Sequence, residues 1–366
     1  MSKKTAAKSA GNKQTQVILG APIFGNDPNA TFLMPLGQKD LAWQARSQTS
    51  NHQELFRLLV LEYVAIMRGL VSMHIGFRVA LSHRQLIMPE LLEKIAALEV
   101  PTVDFPENDL QATTYPRDFV TWITEKKLLL APRYLRCRAR GAFVTRSPYA
   151  IGGRILQRQD VAIVNEQLDP LEDIPAGEPA DFSQACQQLR QSGTYPYSAA
   201  PIQPLQQAGL RVGLLPNAIV YGLLPDGSAI CAPDDHPDRV CGLLEDRHGR
   251  LHLIVDPQIH SGFRDIYAPP CFGPAETLRR YREVCEELDI TLHVPSRLTI
   301  PASICFWQAP NLKVLMTGGD PDVAGLVAGI VGDNYTFTTE TPIKHQPAWC
   351  KAGIRCMIGE IPTWLL

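Results

Sequence analysis

A recurring pattern of an amphipathic helix, a short break and an apolar strand that ends near proline constrains the fold of this chain most strongly. Apolar side chains keep helical spacing in residues 56–67 and 91–98, and Pro89 suits the first turn of the second helix. That helix leads into an apolar stretch at residues 100–106. The pattern predicts a repeated strand-helix-strand unit.

Three further copies of this pattern occur later in the chain. Residues 202–208 precede Gly209 and an apolar strand at 210–215. Leu278, Tyr281, Cys285 and Leu288 form one helical stripe, which is followed by a strand at 290–294. The last copy has a helix at 320–330 and a strand at 335–341. Helices that alternate with short strands in this way indicate an α/β fold.

Other short strands are predicted between turn residues. Each is rich in β-branched or other apolar side chains and is bounded by glycine, proline or charged residues. They are residues 119–124, 128–132, 154–164, 218–224, 240–245, 252–255 and 356–361.

The composition favours one large globular domain with a small-molecule ligand. The chain has 366 residues, of which 45% are hydrophobic, and we expect residues 17–366 to form a single domain. Residues 1–16 carry four lysines without an apolar segment, which predicts a disordered tail and not a secretory signal. A net charge of −2 gives no broad basic field, so neither nucleic acid nor an anionic membrane is expected as a partner.

Cysteine usage and hydropathy indicate where the protein works. Nine cysteines are present, and none forms a Cys-x-x-Cys pair, which argues against a disulfide framework or a zinc ribbon. The apolar runs are shorter than the roughly 18 residues that a membrane span needs. We therefore expect a cytoplasmic protein in which most cysteines are small core residues.

Three short segments gather unusual polar residues where strands are predicted to begin. They are residues 115–120, 234–240 and 351–357. Each has an ordinary structural explanation when taken alone. Asp118 could be a surface acid or a helix cap, the acidic run at Asp234 could be a hairpin turn, and Cys356 could be a core residue.

Taken together and in order, the segments resemble the penteins. This guanidine-modifying superfamily includes arginine deiminases, agmatine deiminases, dimethylarginine hydrolases and arginine:glycine amidinotransferases. Its members carry an Arg-Asp pair before a strand, a Gly-Gly segment, a His-x-Asp sequence and a glycine-rich turn with a cysteine. The matching positions here are Arg117-Asp118, Gly152-Gly153, His236-Pro237-Asp238 and Gly353-Ile354-Arg355-Cys356-Met357.

The resemblance implies a fold, a mechanism and a substrate class. The fold is a five-bladed α/β propeller of strand-helix-strand units. Cys356 corresponds to the nucleophile and His236 to the general acid and base, while Asp118 and Asp238 resemble the acids that grip a cationic guanidino substrate. Arg154 could bind a substrate carboxylate or be a surface arginine. Neither a cofactor nor a metal is implied.

One departure from the family pattern leaves three functions open. Penteins that hydrolyse or transfer amidino groups carry an acid near the Gly-Gly segment that orients the histidine, whereas this chain has Ala150 and Ile151 there. We expect a hydrolase of guanidino C–N bonds. The alternatives are an amidinotransferase and an inactive pentein that binds a guanidino ligand or a partner protein. Assembly into a homo-oligomer is left open by the sequence.

Overall fold

A computed structural model describes the chain over a series of ranges. They are residues 15–20, 52–81, 89–103, 117, 121–123, 128–132, 143–147, 153, 155–165, 202–215, 218–223, 229–234, 237–256, 274–298, 304–309, 313–333, 335–338 and 353–362.

Within these ranges the structure contains six α-helical segments and eighteen short strands. The helices are α1 (His52–Ser72), α2 (Pro89–Ala97), α3 (Ile202–Gln207), α4 (Pro274–Leu288), α5 (Pro321–Val331) and α6 (Ile354–Met357). The strands of the first half are β1 (Thr15–Gly20), β2 (Phe77–Ala80), β3 (Thr102–Val103), β4 (Thr121–Ile123), β5 (Leu128–Pro132), β6 (Phe143–Ser147), β7 (Ile155–Arg158), β8 (Val161–Asn165) and β9 (Arg211–Leu215). Those of the second half are β10 (Ala218–Leu223), β11 (Ala229–Asp234), β12 (Cys241–Glu245), β13 (Leu251–Val255), β14 (Ile290–His293), β15 (Trp307–Ala309), β16 (Val314–Met316), β17 (Thr336–Thr338) and β18 (Ile358–Pro362).

Five of the described sheets share one topology. Each begins with an antiparallel pair of strands, and the second strand of that pair has a parallel partner on its other side. The sheets are β18-β1-β2-β3, β4-β5-β6, β7-β8-β9, β12-β13-β14 and β15-β16-β17, and a separate hairpin joins β10 to β11. The chain is thus a mixed α/β protein built from a repeated unit.

Helices lie in four of the connections between parallel strands, as is common for such connections. Helix α1 links β1 to β2, α3 links β8 to β9, α4 links β13 to β14, and α5 links β16 to β17. The first sheet differs in two respects. Its antiparallel pair joins β1 to β18, from the end of the chain, and a fourth strand, β3, pairs parallel with β2. The two ends of the described chain therefore lie in the same sheet.

Helix α5 shows how local sequence sets the bounds of these helices. The Asp320 carboxylate accepts hydrogen bonds from the backbone N–H groups of Asp322 (3.0 Å) and Val323 (3.2 Å). Pro321 occupies the first turn, where a missing N–H group is tolerated. Gly332 ends the helix at φ 72°, a conformation that favours glycine.

The helices bury one face against the sheets. Tyr281, Cys285 and Leu288 of α4 pack on the apolar strands β12 and β13. Val323, Val327 and Val331 of α5 pack on a second cluster. The largest cluster lies between α1, α2 and the first sheet and reaches Trp307 of β15 and Ile358 of β18. Burial of these faces supplies the main stabilisation of each unit.

The first strands of the five antiparallel pairs each contact at least one other strand of this set. We call β4, β7, β12, β15 and β18 the lead strands. Strand β4 contacts β18, and β7 contacts β12. Arg158 at the end of β7 donates to the Gln308 carbonyl of β15 (2.8 Å), and Gln308 also bonds to the backbone of Glu245 in β12. These contacts join β4 to β18 and join β7, β12 and β15 to one another.

The helices agree with the predictions made from hydrophobic spacing, and the strands agree less completely. Residues 154–164 were predicted as one strand, which is wrong, because β7 and β8 form a hairpin. The turn falls at polar Gln159 and Asp160, with Gln159 at φ 50°. Residues 356–361 were predicted to begin as a strand at Cys356, but Cys356 lies in α6 and β18 begins at Ile358.

At the beginning of the chain, β1 starts at Thr15, so the strand includes the last two residues of the predicted tail. Residues 1–14 lie outside the described residues. Among the helices that the structure describes, none is long and apolar enough to cross a membrane.

Candidate active site

The five residues predicted to carry chemistry all come shortly before a lead strand. Asp118 precedes β4, Arg154 directly precedes β7, His236 and Asp238 precede β12, and Cys356 precedes β18. Several lead strands contact one another, so the beginnings of these strands are candidates for a shared site. The question is whether the described residues bring those beginnings together.

Arg355 connects the beginnings of three lead strands to that of its own. Its Nη1 donates to Asp238 Oδ2 at 2.8 Å, before β12. Its Nη2 donates to the carbonyl of Ile155, the first residue of β7. Its backbone N–H donates to the Cys305 carbonyl at 3.2 Å, just before β15. The starts of β7, β12, β15 and β18 therefore meet around one arginine.

The Arg355–Asp238 ion pair is removed from solvent. The side chain of Arg355 is 6% exposed and that of Asp238 is 0% exposed. Breaking such a pair by removing one partner leaves a buried charge and typically costs about 3–5 kcal/mol. The ion pair therefore keeps the segment before β12 next to the segment before β18. Asp238 is a buried carboxylate that binds a guanidinium group, here the one of Arg355.

Arg117 comes shortly before β4, and its pKa lies well below the usual range. Burial lowers the pKa of Arg117 to about 9, and the positive charges of Arg355 and Arg158 add to the decrease. The carboxylates of Glu360 and Asp238 oppose it. With a pKa of about 9, Arg117 remains protonated at neutral pH.

Gly353 allows the turn before Cys356 to approach the Cys305 segment. A Cβ atom added at Gly353 would overlap the Cys305 side chain, with only 2.6 Å to its sulfur. Gly353 precedes α6 in an extended conformation, so close approach is what requires glycine here. The glycine at position 353 thus has a packing reason.

A second polar cluster lies at the other end of the lead strands. Gln308 is fully buried, and its amide donates to the Glu245 carbonyl (2.8 Å) and to the Tyr335 hydroxyl (3.1 Å). Its Oε1 accepts from the Glu245 N–H at 3.0 Å. Burial raises the pKa of Tyr335, so its hydroxyl stays protonated. This cluster joins β12, β15 and β17 and has the character of a structural link.

The described cysteine side chains behave as core residues. Cys241, Cys285 and Cys305 are buried. Burial raises the pKa of Cys285 to about 12 and holds the pKa of Cys241 well above its usual range. A thiol of this kind is a poor nucleophile, because reactivity follows the thiolate. These three cysteines fit the prediction that most cysteines are structural.

The described residues cover the predicted site unevenly. Asp238 is placed with its partners, whereas Asp118, Arg154 and His236 lie outside the described residues. Cys356 has a described backbone in α6, but its side chain lies outside the description. Ala150 and Ile151, where this chain lacks the carboxylate of the family pattern, also lie outside the described residues. Among the residues that are described, no three acidic, histidine or cysteine side chains are arranged to hold a metal ion.

Arg355 is part of the motif around Cys356, but no role was predicted for it from the sequence. A signal was present, because it lies among Ile354, Cys356 and Met357, and an arginine in an apolar stretch must be buried with an acidic partner. The sequence could not say which acid this is, since Asp238 lies 117 residues away.

Comparisons with known proteins find a similarity in structure but no match in sequence. No protein-family profile matches the chain, and no curated protein matches it by sequence. Among solved structures, it is similar to a substrate-bound cysteine-to-serine variant of agmatine deiminase from C. jejuni. The likeness has a TM-score of 0.43 and 10% sequence identity, and it covers 75% of this chain and 80% of the other.

Proposed function

We propose that this protein is a pentein-type enzyme that cleaves a C–N bond in the guanidino group of a small cationic substrate. The observation that carries the proposal is the meeting of the lead-strand beginnings around a buried carboxylate that binds a guanidinium group. The ordered motifs that resemble the penteins fall at these beginnings. Five sheets of one repeated topology are consistent with the five-bladed fold that the resemblance implies.

Carboxylates are needed to hold such a substrate. A guanidinium is planar and cationic, and it pairs best with carboxylates that accept two parallel N–H bonds. We assign this role to Asp118 and Asp238. Asp238 already accepts one bond from Arg355, but a carboxylate can accept up to about four, so a second donor is compatible with that contact.

In the proposed reaction, the Cys356 thiolate attacks the central guanidinium carbon. A carbon–sulfur bond forms, the carbon–nitrogen bond to the leaving amine breaks, and His236 gives its proton to that amine. Water then attacks the thiouronium carbon while His236 accepts a proton from it. The carbon–sulfur bond breaks, which releases a ureido product and restores the thiolate. Attack by a second amine in place of water would transfer the amidino group.

A panel of guanidino compounds tests this proposal. Arginine, agmatine, methylated arginines and guanidinoacetate would each be incubated with the protein, with and without acceptor amines, while ammonia, ureido product and amidino transfer are followed. We expect turnover of at least one compound. Cys356→Ala should abolish it, and Cys285→Ala, which alters a buried cysteine of α4, should retain it. A folded wild-type protein that turns over none of the panel would contradict the proposal and favour a binding protein.

A further inference from the structure

The three bonds of Arg355 tie the turn that carries Cys356 to three other sheets. The donors are two guanidinium nitrogens and the backbone N–H of one residue, and the acceptors belong to Asp238, Ile155 and Cys305. Each acceptor lies at the beginning of a different lead strand. Arg355 is also the immediate neighbour of Cys356 in α6.

An arginine is well suited to make both side-chain contacts at once. The planar guanidinium presents several N–H donors in a rigid fork, whereas a lysine ammonium is a single point on a flexible stem. The fork reaches a charged acceptor at Asp238 and a neutral carbonyl at Ile155. With 6% of the side chain exposed, water can replace neither contact without opening the site.

We propose that Arg355 is a positioning residue, which fixes the backbone of Cys356 against the beginnings of β7, β12 and β15 so that the thiolate approaches the substrate carbon correctly. This inference rests on the proposed function. A nucleophile must lie within about 3–3.5 Å of the carbon it attacks, and a displacement of about 1 Å can reduce the rate roughly 10²-fold. Asp238 then serves two purposes, because it grips the substrate and anchors the residue beside the nucleophile.

The test compares Arg355→Lys with Arg355→Met and with a matched control. The lysine variant keeps the positive charge near Asp238 and loses the second contact, so it should fold even where the methionine variant is unstable. The control is Arg211→Met. Arg211 also pairs with an aspartate (Asp160, 3.0 Å) and donates to a carbonyl (Leu288, 3.0 Å), but that pair is about half exposed and lies away from the site.

Two readouts are needed, the steady-state constants and amide hydrogen exchange of residues 353–358. We expect Arg355→Lys to lower kcat at least about tenfold with KM changed less than about threefold, and Arg355→Met to lower kcat further. Exchange at residues 353–358 should accelerate in both variants. Arg211→Met should leave both readouts near wild type.

A folded Arg355→Lys protein with wild-type kcat and wild-type exchange would overturn the inference. A lower melting temperature with an unchanged kcat, measured well below that temperature, would also overturn it, since that is the result of a purely structural role. If the wild-type protein turns over no guanidino compound, the proposed function fails separately. Exchange at residues 353–358 then decides whether Arg355 anchors the turn: acceleration supports the anchoring and no change rules it out.

Discussion

Gly353 and Gly325 differ in the space that their surroundings leave for a side chain. Gly353 lies against the Cys305 side chain, whereas Gly325 lies on the exposed face of α5 with no atom within 4 Å of an added Cβ. A methyl group at the first position must displace packed atoms, but at the second it only restricts the unfolded chain. A comparison of the two positions therefore shows whether close packing is what requires glycine at position 353.

We predict that Gly353→Ala lowers the free energy of unfolding by about 1–3 kcal/mol through overpacking. Gly325→Ala should raise it by about 0.5–1 kcal/mol, because alanine favours a helix interior over glycine. Urea denaturation of both variants measures these changes. Equal effects at the two positions would show that Gly353 does not pack as described.

Asp246 controls the turn between β12 and β13. Its carboxylate accepts bonds from the N–H groups of His248 (2.7 Å) and Arg250 (2.9 Å) and from Arg250 Nε (2.8 Å), and His252 Nε2 lies 3.3 Å away. Burial alone would raise the pKa of Asp246, but these contacts outweigh it and hold the pKa well below its usual range. The folded state therefore strongly prefers the ionised carboxylate.

This preference predicts a pH-dependent stability. A carboxyl whose pKa is lowered by folding adds stability above its unfolded pKa of about 3.9, and the contribution disappears as the pH falls toward the folded pKa. Asp246→Asn should lower the free energy of unfolding by about 1–3 kcal/mol at pH 7, and the difference from wild type should shrink below about pH 4. Thermal melts at several pH values measure it. Asp160→Asn, which alters a half-exposed pair with Arg211, should change stability by less than about 1 kcal/mol at every pH, and a comparable loss there would refute the assignment.

At the scale of elements, the sequence predicted helices better than strands. The apolar stripe of α4 and the cap of α5 are local signals, and both helices occur where spacing placed them. Strands such as β15 (Trp307–Ala309) and β16 (Val314–Met316) are three residues long, which is too short for alternation to be recognised. Their pairing is decided by neighbours that are distant in the chain.

The sequence predicted that strands begin near the polar motifs, but it did not predict the contacts around Arg355. The motifs that contain Asp118, His236 and Cys356 were predicted to lie where strands begin, because their polar residues interrupt apolar runs. The pairing of Arg355 with Asp238 depends on how four sheets meet, which periodicity does not encode. The hairpin at residues 155–165 was missed for a related reason, since its two-residue turn contains neither glycine nor proline.

At the scale of the whole molecule, Gln308 links sheets at the end of the lead strands opposite Arg355. Its buried amide bonds to both backbone groups of Glu245 and to the Tyr335 hydroxyl. A buried backbone group that loses its partner costs about 1–3 kcal/mol. Gln308 therefore contributes to holding separate units together.

We predict that Gln308→Leu lowers the free energy of unfolding by about 2–4 kcal/mol while unfolding remains a single transition, because two backbone groups of Glu245 lose their partner. Gln157→Leu is the control. Gln157 is partly exposed and donates to the nearby Gln159 carbonyl at 2.8 Å, so its loss should be worth less than about 1 kcal/mol. Urea unfolding followed by circular dichroism and tryptophan fluorescence measures both variants. An unchanged midpoint for Gln308→Leu would show that the sheets are held together elsewhere.

Trapping a covalent adduct on Cys356 tests the proposed reaction most directly. Wild-type protein would be mixed with a turned-over guanidino compound, quenched in acid within the first turnover, digested and analysed by mass spectrometry. We predict an amidino-type adduct on the peptide that contains Cys356, and neither adduct nor turnover in Cys356→Ser. An adduct on a different cysteine, or turnover that survives in Cys356→Ser, would contradict the assignment of Cys356 as the nucleophile.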